Sequence, residues 1–429
     1  MAWFGRKQQE PVEVEEVEAP RLPEPPANNE AGLRSMHDHI DYLLGLVEPL
    51  RPFGMGLLEA WDQVVCEDIT SLVDVPHQTT ALVEGYAVRA SDLIDDDGKR
   101  VETMMLAETE DGRLPVGAVR HVASGDPVPP GATAVLPTVY VALEGDLARV
   151  FDTVKDGEYV RVAGEHLHAG EQLLGEGDVL DDRSVGLLAS AGIDKVFVRP
   201  RPRVVIVGSG EGLVAPGAHV SADSNFDANS FLIAAAASAA GAQVFHTVVG
   251  SNDHDELRQT VTDQLIRADL VISTTGGRRE DYEAMAEVMS SIGLVDSAKV
   301  AMTPGRTQTF GLIGDDNIPM IMLPGNPVSA YVSFQAFGWP LIRKLAGADP
   351  RRPLVRGIAA HGMRSTEGQT HLLRARVSRE SGINRVTPVS DPHALTELAQ
   401  TNVLVLLDEH TAAANAGTSV QYWQLDDLN

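Results

Sequence analysis

From Arg203 onward, short apolar runs alternate with stretches of helical periodicity, and this alternation constrains the fold more than any other feature of the chain. An apolar run at Val204–Val207 is followed by a helical pattern at Asn229–Ala240. The alternation continues with strand patterns at Val244–Val249, at Leu270–Thr274 and near Val300 and Met320, and with helical patterns at His254–Arg267 and Tyr282–Ile292. Strands that alternate with crossover helices form a mostly parallel sheet covered on both faces. The pattern therefore predicts a doubly wound, mostly parallel α/β domain over residues 201–347.

Three loops of this domain follow directly after its strands: Gly208–Gly217, Thr274–Asp281 and Leu323–Pro327. In open α/β sheets, ligands bind in the crevice beyond the carboxyl ends of the strands. We therefore expect these three loops to meet at a binding site.

The third loop also has the features of a helix start. Gly325 accepts either sign of φ, Asn326 stands where an N-cap belongs, and Pro327 occupies the first helical position. Such a turn directs unpaired backbone N–H groups and the positive end of the helix dipole into the loop, beside the Ser329 hydroxyl. The loop thus suits a phosphate or carboxylate, although a well-capped core helix explains the same residues.

The loop Gly208–Gly212 resembles a dinucleotide-binding loop only superficially. Its third glycine comes one position early, and the residues after it do not form a helical pattern. Binding of a nicotinamide cofactor is therefore disfavoured.

Composition narrows the class of protein further. A chain of 429 residues is too long for one hydrophobic core and should divide into roughly three or four domains. The net charge of −27 opposes nucleic-acid binding through a general electrostatic field. No apolar run has the length of a membrane span and no signal-peptide pattern opens the chain, so we expect a cytoplasmic protein. The one cysteine, Cys66, excludes an intrachain disulfide, and its apolar, helical-looking context favours a buried structural thiol.

The rest of the chain divides by composition. Residues 1–34 combine many Pro and Glu residues with low apolar content and predict a disordered acidic tail. Helical spacing follows from His37 to Glu67, whereas residues 71–150 carry short β-rich runs between Gly and Pro turns and predict a small β domain. We expect residues 35–70 and 151–200 to form one discontinuous linker domain, and residues 348–429 to form a C-terminal β domain.

Seven ordered motifs give the chain a resemblance to the molybdopterin molybdenumtransferase family, called MoeA in bacteria, and to the E domain of gephyrin. The motifs are Glu84–Arg89, Arg161 with Gly164-Glu165 and the Gly170 turn, Leu187–Gly192, Asp223-Ser224-Asn225, Thr275-Gly276-Gly277, Lys299–Gly305 and Leu323–Ala330. The resemblance covers nearly everything from about residue 36 to 425.

This resemblance implies a multidomain α/β protein that forms an elongated homodimer. It implies a cleft that binds adenylylated molybdopterin together with molybdate and Mg²⁺, with AMP leaving as molybdenum is inserted. Oxygen ligands suit Mg²⁺, whereas phosphates and molybdate need N–H donors and fixed cations.

Candidate site residues follow from the matched motifs. The candidate catalytic residues are Glu84, Asp253, Asp281 and Lys299. The candidate binding residues are Ser209, Gly210, Thr275, Gly276, Gly277, Arg306, Pro324, Gly325, Asn326 and Ser329. Asp223 and Asp281 are the candidate Mg²⁺ ligands, and helix capping is an equally good explanation of both carboxylates.

Several positions depart from the family pattern. Glu84 stands where the family has Asp, and Gly212 stands where the family has Glu. Asn252 replaces the first of two paired aspartates, Thr303 replaces a lysine, and the C-terminal Ser-Gly region reads Ser390–His393. Because loss of one positioned acid or base commonly lowers a rate by about 10²–10⁴-fold, we expect weak transferase activity.

A different class of function remains open. The chain also resembles actinobacterial gephyrin-like proteins, a resemblance that implies a dimeric scaffold. Such a scaffold would bind a short peptide of a cell-division partner such as the tail of FtsZ, or of a membrane receptor, between the third and fourth domains.

Overall fold

The computed structural model describes residues 21–107, 112–391 and 394–425. Its described residues form two compact units, one within residues 51–200 and one from residues 21–50 together with the described part of 201–425. Residues 1–20, which make up most of the predicted disordered tail, lie outside the described residues, as do Pro392 and His393.

The first helix, α1 (Met36–Gly45), starts where the helical spacing begins. Ser35 caps it, since the Ser35 hydroxyl accepts a hydrogen bond from the Asp38 N–H. Just before the cap, the buried Arg34 guanidinium donates to both carboxylate oxygens of Asp296, at 2.5 and 3.1 Å. This ion pair and the parallel bridge between Arg34 and Val300 tie the start of α1 to the α/β domain.

In its described residues, the unit of residues 51–200 consists of small sheets, one α-helix and two short 3-10 helices, Ala90–Leu93 and Thr138–Tyr140. Its elements are β1 (Phe53–Gly56), β2 (Ile69–Thr70), β3 (Thr80–Ala81), β4 (Gly85–Val88), β5 (Thr103–Leu106), β6 (Ala118–Val122), β7 (Ala134–Pro137), β8 (Val141–Glu144), β9 (Leu147–Val150), β10 (Val160–Arg161), β11 (Gln172–Leu174), α2 (Asp182–Ser190) and β12 (Lys195–Val198). Six of the strands form one mostly antiparallel sheet in the order β7-β4-β6-β5-β9-β8. The short β-rich runs predicted between residues 71 and 150 are confirmed as the strands of this sheet.

The helical spacing predicted between Leu57 and Val65 is wrong. Residues 57–62 form turns, and Val65 pairs with Val198 in an isolated antiparallel bridge. Leu58 is 86% exposed, so the apolar residues at helical spacing do not share one buried face. Cys66, also placed in this pattern, is only half-buried in an extended segment, where burial raises the pKa of its thiol.

The α/β domain follows the predicted alternation closely. Its elements are β13 (Arg203–Ser209), β14 (Leu213–Val214), β15 (Asn225–Phe226), α3 (Asn229–Ala239), β16 (Gln243–Val249), α4 (His254–Leu265), β17 (Leu270–Thr275), α5 (Arg279–Ile292), β18 (Gly293–Lys299), β19 (Met302–Thr303), β20 (Thr307–Ile313) and β21 (Ile318–Leu323). The main sheet has the order β16-β13-β17-β21-β20-β18. Its first four strands are parallel and the last two antiparallel, which confirms the mostly parallel sheet.

Alternate residues of β13 enter two separate cores. Val204 and Ile206 pack with α3 and the helix after β21, whereas Val205 and Val207 pack with α4 and α5. Because side chains of a strand point alternately to its two faces, this division covers both faces of the sheet with helices. The carboxyl ends of β13, β17 and β21 are left for loops.

The helix predicted after β21 begins at Pro327, as expected. The Asn326 side chain caps it by accepting from the Ser329 N–H at 3.1 Å. The helix runs as α6 (Pro327–Ser333), a π-helical turn (Phe334–Gly338) and α7 (Trp339–Leu345). Pro340 lacks the N–H that a continuous α-helix would use there, which accounts for the shifted hydrogen bonding.

The C-terminal part is a small closed barrel. Its elements are β22 (Leu354–Ala359), β23 (Met363–Arg364), β24 (Thr370–Glu380), β25 (Ile383–Pro388), α8 (Leu395–Leu398), β26 (Val403–Leu407), β27 (Ala413–Ala414) and β28 (Ser419–Gln424). The barrel strands follow the order β24-β25-β22-β28-β26, and β26 pairs again with β24. The β-rich C-terminal prediction is confirmed.

Within the part of the chain that the structure describes, no helix is long and apolar enough to cross a membrane.

Candidate functional site

Three loops meet at the carboxyl edge of the main sheet and enclose a cavity of about 320 Å³, which we call the glycine-loop cavity. The loops are those after β13, β17 and β21, the three that the sequence placed at this edge. The lining residues are Gly210, Glu211, Leu213, Asn225, Phe226, Asp227, Ala228, Asn229, Thr275, Gly276, Gly277, Arg278, Asp281, Gly325 and Pro327. Of the predicted site residues, the structure thus brings Gly210, Thr275, Gly276, Gly277, Gly325 and Asp281 together.

Glycines let these loops approach each other closely. A Cβ atom on Gly325 would lie 2.0 Å from the Gly276 carbonyl oxygen, and one on Gly276 would lie 2.1 Å from Asp281 Oδ2. Gly210 adopts a φ of +151° and leaves only 3.0 Å between its Cβ position and the Gly276 nitrogen. Neither that conformation nor those distances tolerate a side chain. The glycines therefore form the wall of the cavity through backbone contacts.

Two buried polar side chains of the wall have unused hydrogen-bonding atoms. Thr275 is 2% exposed, and its hydroxyl has no partner among the described residues. Asn229 is 8% exposed; its amide nitrogen donates to the Gly325 carbonyl at 2.7 Å, while its Oδ1 is unpartnered in the described part of the chain. Buried polar atoms are normally satisfied, so these two atoms indicate a ligand or bound water. The predicted Ser209 is fully buried at the end of β13 and does not line the cavity.

Sequence reasoning missed Asp227 and Asn229. Asp227 is 1% exposed, and its carboxylate accepts hydrogen bonds from both the N–H, at 2.9 Å, and the hydroxyl of Ser230. A Cβ on Gly208 would lie 2.4 Å from this carboxylate, so the glycine makes room for it. The sequence reads Asp-x-Asn both at 223–225 and at 227–229, and the motif match selected the first copy. The second copy carries the buried side chains.

Asp281 holds three loops together. Its carboxylate accepts from the Glu211 N–H at 3.3 Å, from the Asn252 amide at 2.8 Å and from the Arg278 N–H at 3.4 Å. It is 2% exposed. The donors belong to the loops after β13, β16 and β17, so this carboxylate fixes one side of the cavity and caps α5.

Gly212 occupies the position where the family pattern has glutamate. Its φ is +73°, and a Cβ there would lie 2.3 Å from the carbonyl oxygen of Asp223. This backbone conformation leaves no room for a side chain. The loop as it is folded therefore cannot carry a carboxylate at position 212. Glu211, one residue earlier, is exposed at the rim of the cavity.

The predicted Mg²⁺ ligands do not form a metal site. Asp223 is exposed and does not line the cavity, and the Asp281 carboxylate is already occupied by three donors. Among the described residues, no group of three His, Cys, Asp or Glu side chains could hold a metal ion. Since Mg²⁺ needs oxygen ligands with free lone pairs, these residues do not fit it.

Asn326 and Ser329 line a second cavity of about 410 Å³, together with Thr303, Pro304 and residues 371–374. Arg374 is 3% exposed and donates to the carbonyl oxygens of Asp391 and Ala394, at 2.8 and 3.1 Å. Burial lowers the pKa of His371 in the same wall. The predicted anion site at the α6 start is therefore divided between the two cavities: Gly325 and Pro327 line the glycine-loop cavity, whereas Asn326 and Ser329 line the second. Pro324 lines neither cavity.

The remaining predicted residues of this unit lie elsewhere. Lys299 is exposed at the end of β18, and Arg306 is exposed and donates to Gln369 Oε1 at 3.0 Å. Asp253 caps α4, since its carboxylate accepts from the N–H groups of residues 255 and 256. Neither cavity is lined by any of these three side chains.

Glu84 belongs to the unit of residues 51–200. It immediately precedes β4 and is exposed, with its carboxylate 3.3 Å from His121 Nε2. Its backbone carbonyl accepts from Thr138, which holds the start of the strand.

Comparison with protein families divides the chain into three matches. Residues 34–192 match the MoeA N-terminal region (domains I and II), residues 205–344 match a probable molybdopterin-binding domain, and residues 343–425 match the MoeA C-terminal region (domain IV). The second match contains every residue that lines the glycine-loop cavity.

Two proteins of Mycobacterium tuberculosis are similar over most of their length. Molybdopterin molybdenumtransferase 2 is 31% identical over 411 residues, which cover 92% of this chain and all of that protein. Molybdopterin molybdenumtransferase 1 is 33% identical over 387 residues, covering 83% of this chain and 91% of that protein.

Among solved structures, a molybdopterin biosynthesis MoeA protein of Pyrococcus horikoshii has the same fold. It superposes with a TM-score of 0.77 at 21% sequence identity and covers 92% of this chain and all of its own. Another crystal structure of a molybdopterin biosynthesis MoeA protein, from P. horikoshii OT3, gives a TM-score of 0.68 at 23% identity.

Proposed function

This chain belongs to the molybdopterin molybdenumtransferase (MoeA) family, and we propose that its glycine-loop cavity binds adenylylated molybdopterin, into which the protein inserts molybdate with release of AMP. The observation that supports this most directly is the meeting of three glycine-rich loops around the buried Thr275 hydroxyl and Asn229 Oδ1, which have no hydrogen-bond partner among the described residues. Such a site at the carboxyl edge of an α/β sheet is typical of nucleotide-like ligands.

One side of the cavity suits the phosphates of this substrate. The first turn of α5 presents backbone N–H groups and the positive end of the helix dipole. The Arg278 side chain is exposed beside it and lines the cavity. A guanidinium and backbone donors together bind phosphate oxygens with charge-assisted hydrogen bonds.

The opposite side suits the ring system. Asn229 Oδ1 is an acceptor for an N–H of the ligand, and the Thr275 hydroxyl both donates and accepts. Phe226 is 51% exposed and offers an apolar face at the mouth. These groups orient the ligand and add no acid or base of their own.

We expect turnover to be weak. The carboxylates that the family pattern places at Gly212 and Asn252 are absent, and the amide of Asn252 is committed to Asp281. Two missing carboxylates at about tenfold or more each lower the rate by at least about a hundredfold relative to an intact relative. The Glu84 and Thr303 departures act in the same direction.

AMP release from adenylylated molybdopterin and molybdate tests this function. The informative pair is Arg278→Gln, which removes a cation of the cavity, and Arg279→Gln, its neighbour, which pairs with Glu283 at 2.6 Å outside the cavity. We expect the wild-type protein to release AMP at least about a hundredfold more slowly than an intact relative. Arg278→Gln should lower this rate further, whereas Arg279→Gln should leave it unchanged.

Turnover equal to that of the relatives would refute the weak-site proposal. Equal behaviour of the two arginine variants would refute the placement of the phosphate. Absence of AMP release, together with no binding of AMP, would refute the transferase function itself.

Homodimerisation belongs to the same proposal. Isologous dimers are the commonest oligomers, and sedimentation velocity at micromolar concentration should give an elongated dimer; a compact monomer would contradict this. The scaffold alternative receives no support from the relatives described above, which are named as transferases. A peptide of the division machinery or of a membrane receptor as partner, and a cytoplasmic location, remain predictions.

A further inference from the structure

The Asp281 carboxylate accepts hydrogen bonds from donors of three loops. The shortest of its three hydrogen bonds comes from the Asn252 amide, at 2.8 Å. The carboxylate is buried against the Gly276 backbone, where even a methyl group would lie 2.1 Å from Oδ2. A cation that approaches Asp281 would therefore have to displace at least one of these donors.

Asn252 itself is specialised for this contact. While its nitrogen donates to Asp281, its Oδ1 is buried without a hydrogen-bond partner among the described residues. Only the donor half of the amide is thus in use. An aspartate at 252 would supply no donor at neutral pH, and it would place two carboxylates in contact. Two such carboxylates either bind a divalent cation between them or repel each other.

The other nearby carboxylates cannot replace the missing ligand. Asp227 is committed to Ser230, and Asp253 to the cap of α4. Glu211 is exposed at the rim, and its backbone N–H, rather than its carboxylate, contacts Asp281. Within the described chain these acids do not form a group able to hold a metal.

We propose that Asn252 is a specificity-determining residue that keeps the glycine-loop cavity free of a protein-held divalent cation. Its amide donates a hydrogen bond to Asp281 at the place where a cation would otherwise bind the carboxylate. The inference concerns the protein without substrate and does not depend on transferase turnover.

Titration of the chelator-treated full-length protein with Mn²⁺, followed by calorimetry, tests this proposal. Wild type and Asp253→Asn should bind Mn²⁺ only weakly, because asparagine keeps the α4 cap and leaves the cavity unchanged. Asn252→Asp should gain one site at least about tenfold tighter than the wild-type background, as a second carboxylate ligand is added. The double variant Asn252→Asp/Asp281→Asn should lose that site.

Thermal unfolding gives a second readout. Asn252→Asp should unfold at a lower temperature than wild type in EDTA and recover in Mn²⁺, whereas Asp253→Asn should be indifferent to Mn²⁺. A folded Asn252→Asp variant without a new site would overturn the proposal.

A tight Mn²⁺ site in the wild-type protein that is lost in Asp281→Asn would also overturn the proposal. If Asn252→Asp does not fold, this comparison of wild type with Asp281→Asn still decides the matter: weak binding that is equal in both supports the proposal.

Discussion

His39 makes the stability of the unit that contains the α/β domain sensitive to acid. The size of this loss of stability follows from the surroundings of the ring. The ring is 1% exposed, packs edge-on against Phe337 at 5.1 Å, and places Nδ1 3.1 Å from the Arg34 guanidinium. Burial, reinforced by the positive charge of Arg34, lowers the pKa of His39 to about 4 against an ordinary 6.5, although Asp296 acts in the opposite direction. The histidine is therefore neutral in the folded chain at pH 7 and accepts from Arg34.

Folding lowers this pKa, so the unfolded chain binds the proton more tightly and acid favours unfolding. The stabilisation is complete above about pH 6.5 and is lost progressively as the pH falls toward about 4. At pH 5.0 the two pKa values give a loss of about 2 kcal/mol relative to pH 7.5, from 1.36 kcal/mol per pKa unit. This is a large part of the stability of a typical domain.

Urea titrations at pH 7.5 and 5.0, followed by circular dichroism, measure this loss. His39→Gln keeps an acceptor for Arg34 and cannot titrate, so its pH-dependent loss should be about 2 kcal/mol smaller than that of wild type. The matched control is His37→Gln on the same helix, whose imidazole is 75% exposed; it should lose as much as wild type. A His39→Gln variant that loses as much stability as wild type between the two pH values would refute this account.

Three further outcomes are expected. Gly276→Ala should weaken AMP binding at least about tenfold in a binding titration, since its methyl group displaces the Asp281 carboxylate that fixes the cavity wall. Ser230→Ala should lower the unfolding free energy by about 1–3 kcal/mol in urea, because the buried Asp227 loses a donor. Gly212→Glu, although it restores the family residue, should fail to raise AMP release, as its φ of +73° and the adjacent carbonyl exclude a side chain.

The α/β domain could be predicted because its signals are local. Apolar runs of strand length, helical periodicity and the Asn326-Pro327 start each act within a few residues. The three loops could also be placed at one edge, since all strands of a parallel sheet end on the same side. Fold class and the position of the cavity follow from these signals.

The site residues depend on contacts that are distant in sequence, and these were harder to read. The Asp-x-Asn copies at 223–225 and 227–229 use the same letters, and only the contact of Asp227 with Ser230 and Gly208 separates them. Lys299 ends β18 at the far edge of the sheet, two strands beyond β21. Local periodicity predicts where strands are but not their order in the sheet. The apparent helix at 57–65 failed because helical spacing alone does not tell which side chains become buried.

The unit that carries the cavity is assembled from two separated stretches of chain. The N–H of Leu50 bonds to the carbonyl of Leu345, and Arg34 is held by Asp296, although about 150 residues of the other unit intervene. During synthesis the first helix therefore emerges long before its partners, whereas residues 51–200 form a compact unit within one continuous stretch of chain. Closing so long a loop is slow but costs little extra stability. Folding during synthesis should thus complete the intervening unit first. Until the second half of the chain is made, α1 should remain an exposed amphipathic segment.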